Sequence, residues 1–137
     1  MAHWLMKSEP FKYSWDQLLK DGRTHWNGVR NHQAAANLKA MRKGERAFFY
    51  HSNEGLAVVG IVEIVKEYYP DPSDDSGRFG MVDVTPVMAM KTPVTLAAIK
   101  AEPRLSELPL VRQSRLSVSP VDDAAWKLIC RMGGVPA

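Results

Sequence analysis

"RAFFYHSNEGLAVVGIVEIV", residues 46–65, decides the fold. Aromatic and β-branched residues fill its two halves, 46–52 and 56–65, and such residues are enriched in β-strands. The polar "NEG" between the halves is short and ends in glycine, which is typical of a hairpin connection. The stretch therefore predicts two antiparallel strands in the middle of the chain.

Further strands are predicted on both sides of this hairpin. "AHWLMK" (2–7) is a short strand that must end in the turn before Pro10. "MVDVTPV" (81–87) is a strand that follows a long polar loop rich in proline and aspartate. "RLSVSPV" (115–121) is predicted as the final strand.

Helices are predicted from capping signals, that is, from side chains that accept a hydrogen bond from a free backbone N–H at the helix start. Ser14, followed by Gln17, begins a helix that stops at Gly22. The other predicted helices are residues 31–43 ended by Gly44, a short helix after Thr95, and a helix from Asp122 through Cys130 that stops at Gly133.

The predicted elements indicate one α+β domain that covers residues 1–137. A chain of this length with 45% hydrophobic residues can bury a continuous core. Five or six short, mostly antiparallel strands with apolar residues on both faces favour a small curled β-barrel, and we expect it to close. Barrels of this kind commonly bind ligands at a mouth formed by loops, so polar loops that carry an aromatic residue are the places to examine.

Composition limits the classes of function. Cys130 is the single cysteine, which leaves no internal disulfide, Cys-based zinc site or paired redox motif. The longest apolar run, 56–65, is interrupted by Gly60 and Glu63 and is too short to cross a bilayer. We expect a cytoplasmic, monomeric protein that needs no membrane, metal or cofactor.

The charge is weakly informative. A net charge of +3 is compatible with a polyanionic partner and is also common without one. Two groups of basic residues stand out, one at 39–46 and a pair at Arg112 and Arg115. Each group is either an ordinary solvated surface or a surface that contacts phosphates, and the sequence leaves both interpretations open.

Catalytic motifs are absent: the chain contains no Gly-x-Ser-x-Gly, HExxH, CxxC or glycine-rich phosphate loop. The four histidines are too scattered to form a recognisable metal set. An enzyme that acts on nucleic acid or a nucleotide, with Glu9 or His51 as the acid–base group, remains as the alternative interpretation.

Trp26 differs from the other tryptophans. Trp4, Trp15 and Trp126 fall in predicted strands or helices, where an indole packs the core. Trp26 lies in the polar stretch "HWNGVRNHQ" (25–33), without an apolar pattern on either side. Its ring is either open to a ligand or a partly buried residue that packs beside the turn.

Five segments together resemble the EVE-domain family, in their order and in their approximate spacing. They are "WLMKSEP" (4–10), "WNGVRN" (26–31), "GERAFFYHSN" (44–53), "VVGIVEIV" (58–65) and "RLSVSPV" (115–121). The resemblance covers nearly the whole chain, and the combination is far more specific than any one segment. It implies a bacterial, single-domain protein with a PUA-like pseudo-β-barrel related to the YTH domains, which read modified bases.

The resemblance also implies a function and a set of site residues. The function that the resemblance implies is binding of DNA or RNA that carries 5-methylcytosine or 5-hydroxymethylcytosine, with the base turned out into a pocket. Matched to the family's segments, the pocket residues are Lys7, Ser8, Glu9, Trp26, Asn27, Ser52, Asn53, Arg115 and Ser117, with Leu116 nearby. Phe79 is a departure, because a tryptophan is expected there in many relatives, and stacking is weaker if that position forms a wall.

These residue types suit an extruded cytosine. Stacking on an aromatic face is worth about 1–3 kcal/mol per base, and we expect the indole plane of Trp26 to be left free for it. Serine, glutamate and asparagine supply both the acceptors and the donors that cytosine requires. The residues expected to bind flanking phosphates are Arg30, Lys39, Arg42 and Lys43. A third interpretation, capture of a methylated ammonium by cation–π contacts, requires two or three aromatic rings around one void.

Overall fold

The computed structural model describes residues 1–137. Its strands are β1 His3–Ser8, β2 Thr24–His25, β3 Arg46–His51, β4 Ala57–Pro70, β5 Gly80–Thr95 and β6 Val118–Val121. Its helices are α1 Trp15–Asp21, α2 His32–Ala40, α3 Leu96–Ala101, α4 Pro109–Arg112 and α5 Asp123–Met132, with a 3-10 turn at Pro103–Leu105. None of these helices has the length and apolar character needed to span a bilayer.

The six strands form one mixed sheet in the order β2-β5-β4-β3-β1-β6. Neighbouring strands are antiparallel except for β1 and β3, which run parallel. The prediction of an α+β domain with six mostly antiparallel strands is confirmed. Hydrogen-bonded closure of the barrel is not observed, because the edge strands β2 and β6 pair only with β5 and β1. A barrel closes only when its first and last strands pair, and here the edge strands have two and four residues.

Both faces of the sheet carry a hydrophobic core. Side chains alternate along a strand, so that Met6 of β1 and Phe49 of β3 lie in one core while Leu5 and Phe48 lie in the other. The first core is covered by α1, α2 and the chain around Trp26, and the second by α3, α4 and α5. The two cores hold 18 and 16 buried residues, so neither face of the sheet is left to solvent.

The central hairpin is confirmed, with Arg46 opposite Glu63 and Phe48 opposite Ile61. β4 and β5 are much longer than predicted, because several register shifts let the two strands continue to pair. The helix predicted over 31–43 ends at Ala40, and the strand predicted over 115–121 begins at Val118. β2 and α4, each of four residues or fewer, were not predicted.

The caps predicted at Ser14, Thr95 and Asp122 are present, and Asn31 is a further cap at the predicted start of its helix. The side chains of Ser14, Asn31, Thr95 and Asp122 each accept a hydrogen bond from a backbone N–H three residues later. Gln17 does not complete a capping box, because its amide donates to Asp21 instead (2.9 Å). Local sequence therefore fixes where four of the helices begin.

Trp15 packs directly on the backbone of β4 at Gly60. A Cβ atom added to Gly60 would lie 2.4 Å from the six-membered ring of Trp15, much closer than any real contact. The same indole makes an edge contact with Phe49, with 5.5 Å between ring centroids. Glycine at position 60 is thus required so that α1 can approach the sheet.

We expect Gly60→Ala to lower the free energy of unfolding by about 1–3 kcal/mol, because the indole or the strand must shift to admit the methyl group. Urea denaturation measures this loss. The loss should be smaller when the same substitution is made in a Trp15→Phe background, since the shorter ring leaves room. An equal loss in both backgrounds would contradict the proposed contact.

Candidate functional site

The carboxyl end of β1 brings distant parts of the chain together. The backbone N–H of Lys7 donates to the carbonyl of Ser117, and that of Ser52 donates to the carbonyl of Ser8, both at 2.9 Å. Glu9 follows directly at the turn after β1. Segments that the family resemblance groups into one site are therefore adjacent in space.

Two adjoining cavities lie at this junction. Cavity A has a volume of about 440 Å³ and is lined by Lys7, Ser8, Glu9, Lys12, Tyr13, Thr24, His25, Trp26, Asn27 and Gly28. Cavity B has a volume of about 580 Å³ and is lined by Lys7, Glu9, Tyr50, Ser52, Asn53, Leu56, Leu96, Leu110, Ser114, Arg115 and Ser117. Both volumes fall in the range of small-molecule pockets, roughly 300–1,000 Å³.

The residues expected to form one pocket are thus divided between two. Ser8, Trp26 and Asn27 line only cavity A. The residues that line only cavity B are Ser52, Asn53, Arg115 and Ser117. Lys7 and Glu9 belong to both. Leu116 is buried in the first core and lines neither cavity.

Glu9 and Lys7 form the wall between the cavities. The carboxylate of Glu9 accepts a hydrogen bond from the Asn53 amide (2.7 Å) and lies 3.3 Å from the ammonium of Lys12. The ammonium of Lys7 donates to the carbonyl of Ser114 (2.8 Å), and burial lowers its pKa. An ammonium has three donors, so Lys7 retains hydrogen-bonding capacity toward either cavity.

Trp26 is more buried than predicted. Only 8% of its surface is exposed, and its ring makes an edge contact with Phe49 in the first core, at 5.5 Å between centroids. The cause is the short ladder of β2 with β5, after which the backbone N–H of Trp26 bonds to the carbonyl of Val82 (2.7 Å). The expectation of a free indole plane is wrong in this conformation. The ring reaches cavity A through its remaining exposed surface, beside half-buried Tyr13.

A buried carboxylate holds the loop after Trp26. Asp71, whose side chain is fully buried, accepts hydrogen bonds from the N–H of Gly28 (2.8 Å), the guanidinium of Arg30 (3.2 Å) and the hydroxyl of Ser73 (2.6 Å). Burial by itself would raise the pKa of Asp71, but these hydrogen bonds outweigh burial and lower it to about 2. The sequence carried no signal that separated Asp71 from the other acids of its loop.

Arg30 and Phe79 are used inside the fold. Besides Asp71, the guanidinium of Arg30 donates to Ser73 (3.0 Å) and lies over the ring of Phe79 (5.7 Å). Phe79 also lies 5.1 Å from His32 and lines neither cavity, so the wall considered at position 79 is not observed. The phosphate role predicted for Arg30 would have to use the donors that these contacts leave.

The remaining cations expected to bind phosphates lie outside both cavities. Lys39, Arg42 and Lys43 are exposed on α2 and the turn that follows it. Lys39 lies over the ring of Tyr68 (5.5 Å). The cations that do line the cavities are Lys7 and Lys12 for cavity A, and Lys7 and Arg115 for cavity B.

His51 has a structural contact. Its Nε2 accepts a hydrogen bond from the backbone N–H of Trp15 (3.1 Å), which joins the end of β3 to the start of α1. Burial lowers the pKa of His51, opposed by the nearby carboxylate of Asp16. A neutral imidazole is what this contact requires, and His51 lines neither cavity. Of the two acid–base candidates, Glu9 alone lies at the site.

Sequence reasoning missed Lys12, Tyr13, Thr24 and His25, which all line cavity A. His25 is bound to the buried carboxylate of Asp83, with 2.9 Å between Nδ1 and Oδ1. These residues lie in a turn and in the two-residue strand β2, where single residues show no periodic pattern.

The family model of the EVE domain matches residues 2–132. This chain belongs to the EVE-domain family. Thymocyte nuclear protein 1 of Homo sapiens is 38% identical over 162 residues, which cover 93% of this EVE domain and 72% of the human protein. The family resemblance seen in the five segments is confirmed.

Solved structures share the fold of this EVE domain. A protein from Rhodopseudomonas palustris is 57% identical with a TM-score of 0.93, and covers 98% of this chain and 94% of its own. Human thymocyte nuclear protein 1, solved in complex with DNA containing 5-methylcytosine, is 33% identical with a TM-score of 0.92 over 100% of both chains. A YTH domain from Zygosaccharomyces rouxii, 16% identical with a TM-score of 0.62 over 99% of this chain and 88% of its own, shares the fold.

The free energy of unfolding should depend on pH because the pKa of the buried Asp71 carboxylate is lowered. Its pKa of about 2 in the folded protein is below the value of about 3.9 for an unfolded chain. The resulting stabilisation, about 2–3 kcal/mol, is fully present above the unfolded pKa and is lost as pH falls from about 4 toward 2. We expect Asp71→Asn to destabilise the EVE domain at pH 7, and the difference from wild type to shrink at pH 2.

Urea denaturation at pH 7, 4 and 2 measures this difference. Asp75→Asn is the matched control, because Asp75 is an exposed acid in the same loop, and it should change stability by less than about 0.5 kcal/mol. A loss for Asp71→Asn that is constant across this range would contradict the role assigned to the ionised carboxylate.

Proposed function

We propose that this EVE domain is a non-catalytic module that binds DNA or RNA and takes an extruded, modified cytosine into cavity A. The observation that carries the proposal is the human relative in complex with DNA containing 5-methylcytosine, which aligns over the whole chain. The residues of cavity A supply the chemistry that such a base requires. The modifications proposed are 5-methylcytosine and 5-hydroxymethylcytosine.

The polar side chains of cavity A match the edge of cytosine. The base presents an amino donor at N4 and acceptors at N3 and O2. The hydroxyl of Ser8 donates to the carbonyl of Tyr13 (2.6 Å), which leaves its lone pairs to accept from the amino group. Asn27 is exposed and offers both a donor and an acceptor. Tyr13 and the exposed surface of Trp26 supply flat aromatic contacts.

The cations at the junction suit the nucleic-acid backbone. Lys12 is 72% exposed at the rim of cavity A, and Arg115 is exposed beside cavity B. Lysine and arginine side chains that neutralise phosphates release bound counterions, so affinity falls as salt rises. These cations would hold the strand while the cavity receives the base.

Two other functions are less well supported. Of the two acid–base residues considered for an enzyme, Glu9 and His51, only Glu9 lines a cavity, and its carboxylate is occupied by Asn53 and Lys12. A methyl-ammonium site needs two or three open aromatic faces, and only 8% of the surface of Trp26 is exposed. Nucleic-acid binding makes use of both the cavity and its cations, and we favour it for that reason.

We expect the EVE domain to bind a duplex with one 5-methylcytosine about fivefold to tenfold more tightly than the unmodified duplex. This ratio corresponds to about 1 kcal/mol, the lower end of the range of about 1–3 kcal/mol that one methyl group contributes. Fluorescence anisotropy with labelled duplexes measures this ratio. Asn27→Ala should weaken binding of the modified duplex and reduce the ratio. Equal affinity for modified and unmodified duplexes, unchanged by Asn27→Ala, would refute the proposal. The enzyme would be supported instead if the protein turned over a nucleic-acid substrate and Glu9→Gln abolished this turnover without abolishing binding.

Lys12→Ala tests the phosphate contacts. Each phosphate contact adds about 0.9 to the slope of log affinity against log salt, so the slope for a duplex should decrease by about that amount. Lys100→Ala is the matched control, because Lys100 is an exposed lysine on α3, which covers the opposite face of the sheet. The same slope for wild type and Lys12→Ala would contradict a phosphate contact at Lys12.

A further inference from the structure

His25 lies at the rim of cavity A with one edge of its ring fixed. Its Nδ1 is 2.9 Å from Oδ1 of Asp83. The Asp83 side chain is 3% exposed, whereas that of His25 is 64% exposed. The Nδ1 edge of the imidazole therefore faces the buried carboxylate, and the Nε2 edge is left for solvent or a ligand.

Tyr69 settles where the proton of neutral His25 resides. The Tyr69 hydroxyl donates its one hydrogen to Oδ1 of Asp83, and its oxygen lies 2.9 Å from Nδ1 of His25. Burial and the bond to Asp83 raise the pKa of Tyr69 to about 12, so the hydroxyl keeps its proton. Because that hydrogen is already used, Nδ1 must be the donor toward both oxygens. Neutral His25 thus carries its hydrogen on Nδ1 and has a bare Nε2.

The negative charge of Asp83 is balanced by Arg23. The guanidinium of Arg23 donates to the second carboxylate oxygen of Asp83 at 2.8 and 3.2 Å. Lys66 lies over the ring of Tyr69, 3.8 Å from its centroid. On the cavity side, the charged or titratable groups are Lys7, Glu9, Lys12 and Tyr13. Protonation of His25 therefore adds one positive charge to a rim that already bears lysines.

We propose that His25 is a proton-controlled phosphate contact: protonated at Nε2, it donates a hydrogen bond to a phosphate of the nucleic acid whose base occupies cavity A. This inference rests on the proposed function. The exposed position of His25 suits the backbone of the strand rather than the base, which lies deeper beside Trp26. Protonation turns a lone pair that repels phosphate oxygens into a donor. The Nδ1–H bond to Asp83 persists in both states, so no rearrangement is needed.

The test is the affinity for the 5-methylcytosine duplex between pH 8.5 and 5.5, the range in which histidine side chains change charge. Wild type should bind about tenfold more tightly at pH 5.5, as a charged hydrogen bond contributes. Its salt slope should be steeper by about 0.9 there, because one more phosphate is contacted. Both changes should vanish in His25→Gln, whose amide can still donate to Asp83. His25→Lys, charged throughout, should bind at pH 8.5 as wild type does at pH 5.5.

His32→Gln is the matched control, since His32 is also exposed but lines neither cavity, and the affinity of this variant should change with pH as that of wild type does. A full pH effect in His25→Gln, or a salt slope of wild type that does not change with pH, would overturn the inference. If modified cytosine is still preferred in that case, the proposed function stands. Absence of that preference in wild type at every pH would overturn the proposed function and this inference with it.

Discussion

The backbone hydrogen bonds at the carboxyl end of β1 are the constraint on which the site depends. β1 runs parallel to β3 and antiparallel to β6, so its last residues are fixed from both sides. The bonds from Lys7 to Ser117 and from Ser52 to Ser8 then hold three segments at one junction. Parallel neighbours require a long connection, and here that connection carries α1, β2 and α2. The same pairing therefore places the helices of the first core and the loop that lines cavity A.

Three buried carboxylates hold the irregular parts of the chain. Glu45 accepts from the indole N–H of Trp4 (3.0 Å) and two backbone N–H groups, Asp71 holds the turn at Gly28, and Asp83 holds the segment that contains His25. A buried charge is costly unless its oxygens are hydrogen-bonded, and each of these carboxylates has at least three donors. In each case these hydrogen bonds offset the cost of burial and also order the neighbouring segment of the chain. The rim of cavity A is thus built by ionic contacts, whereas its floor belongs to the hydrophobic core.

This construction explains how a domain with a largely conventional core can present a polar site. Trp26 packs against Phe49 and contributes only its remaining surface to the cavity, so polar and charged residues make up most of the lining around it. Lys7 and Glu9 separate cavities A and B and belong to both. Under the function we propose, a nucleic-acid strand that crosses this wall would meet cations on either side, which could contact its phosphates without regard to sequence.

The sequence by itself determined the central hairpin, the helix starts at Ser14, Asn31, Thr95 and Asp122, the α+β class and the family. The hairpin and the helix starts depend on side chains and backbone groups within a few residues of one another, so local patterns report them. The class and the family follow from the order of such patterns along the chain. Tertiary structure alone decided that the sheet stays open, that Trp26 is buried, that Phe79 packs on Arg30, and that the site consists of two cavities. It also decided the contacts of His25 with Asp83, which lie 58 residues apart. Such contacts arise from strand pairing and burial across the whole chain, and no local pattern encodes which distant partner a side chain will meet.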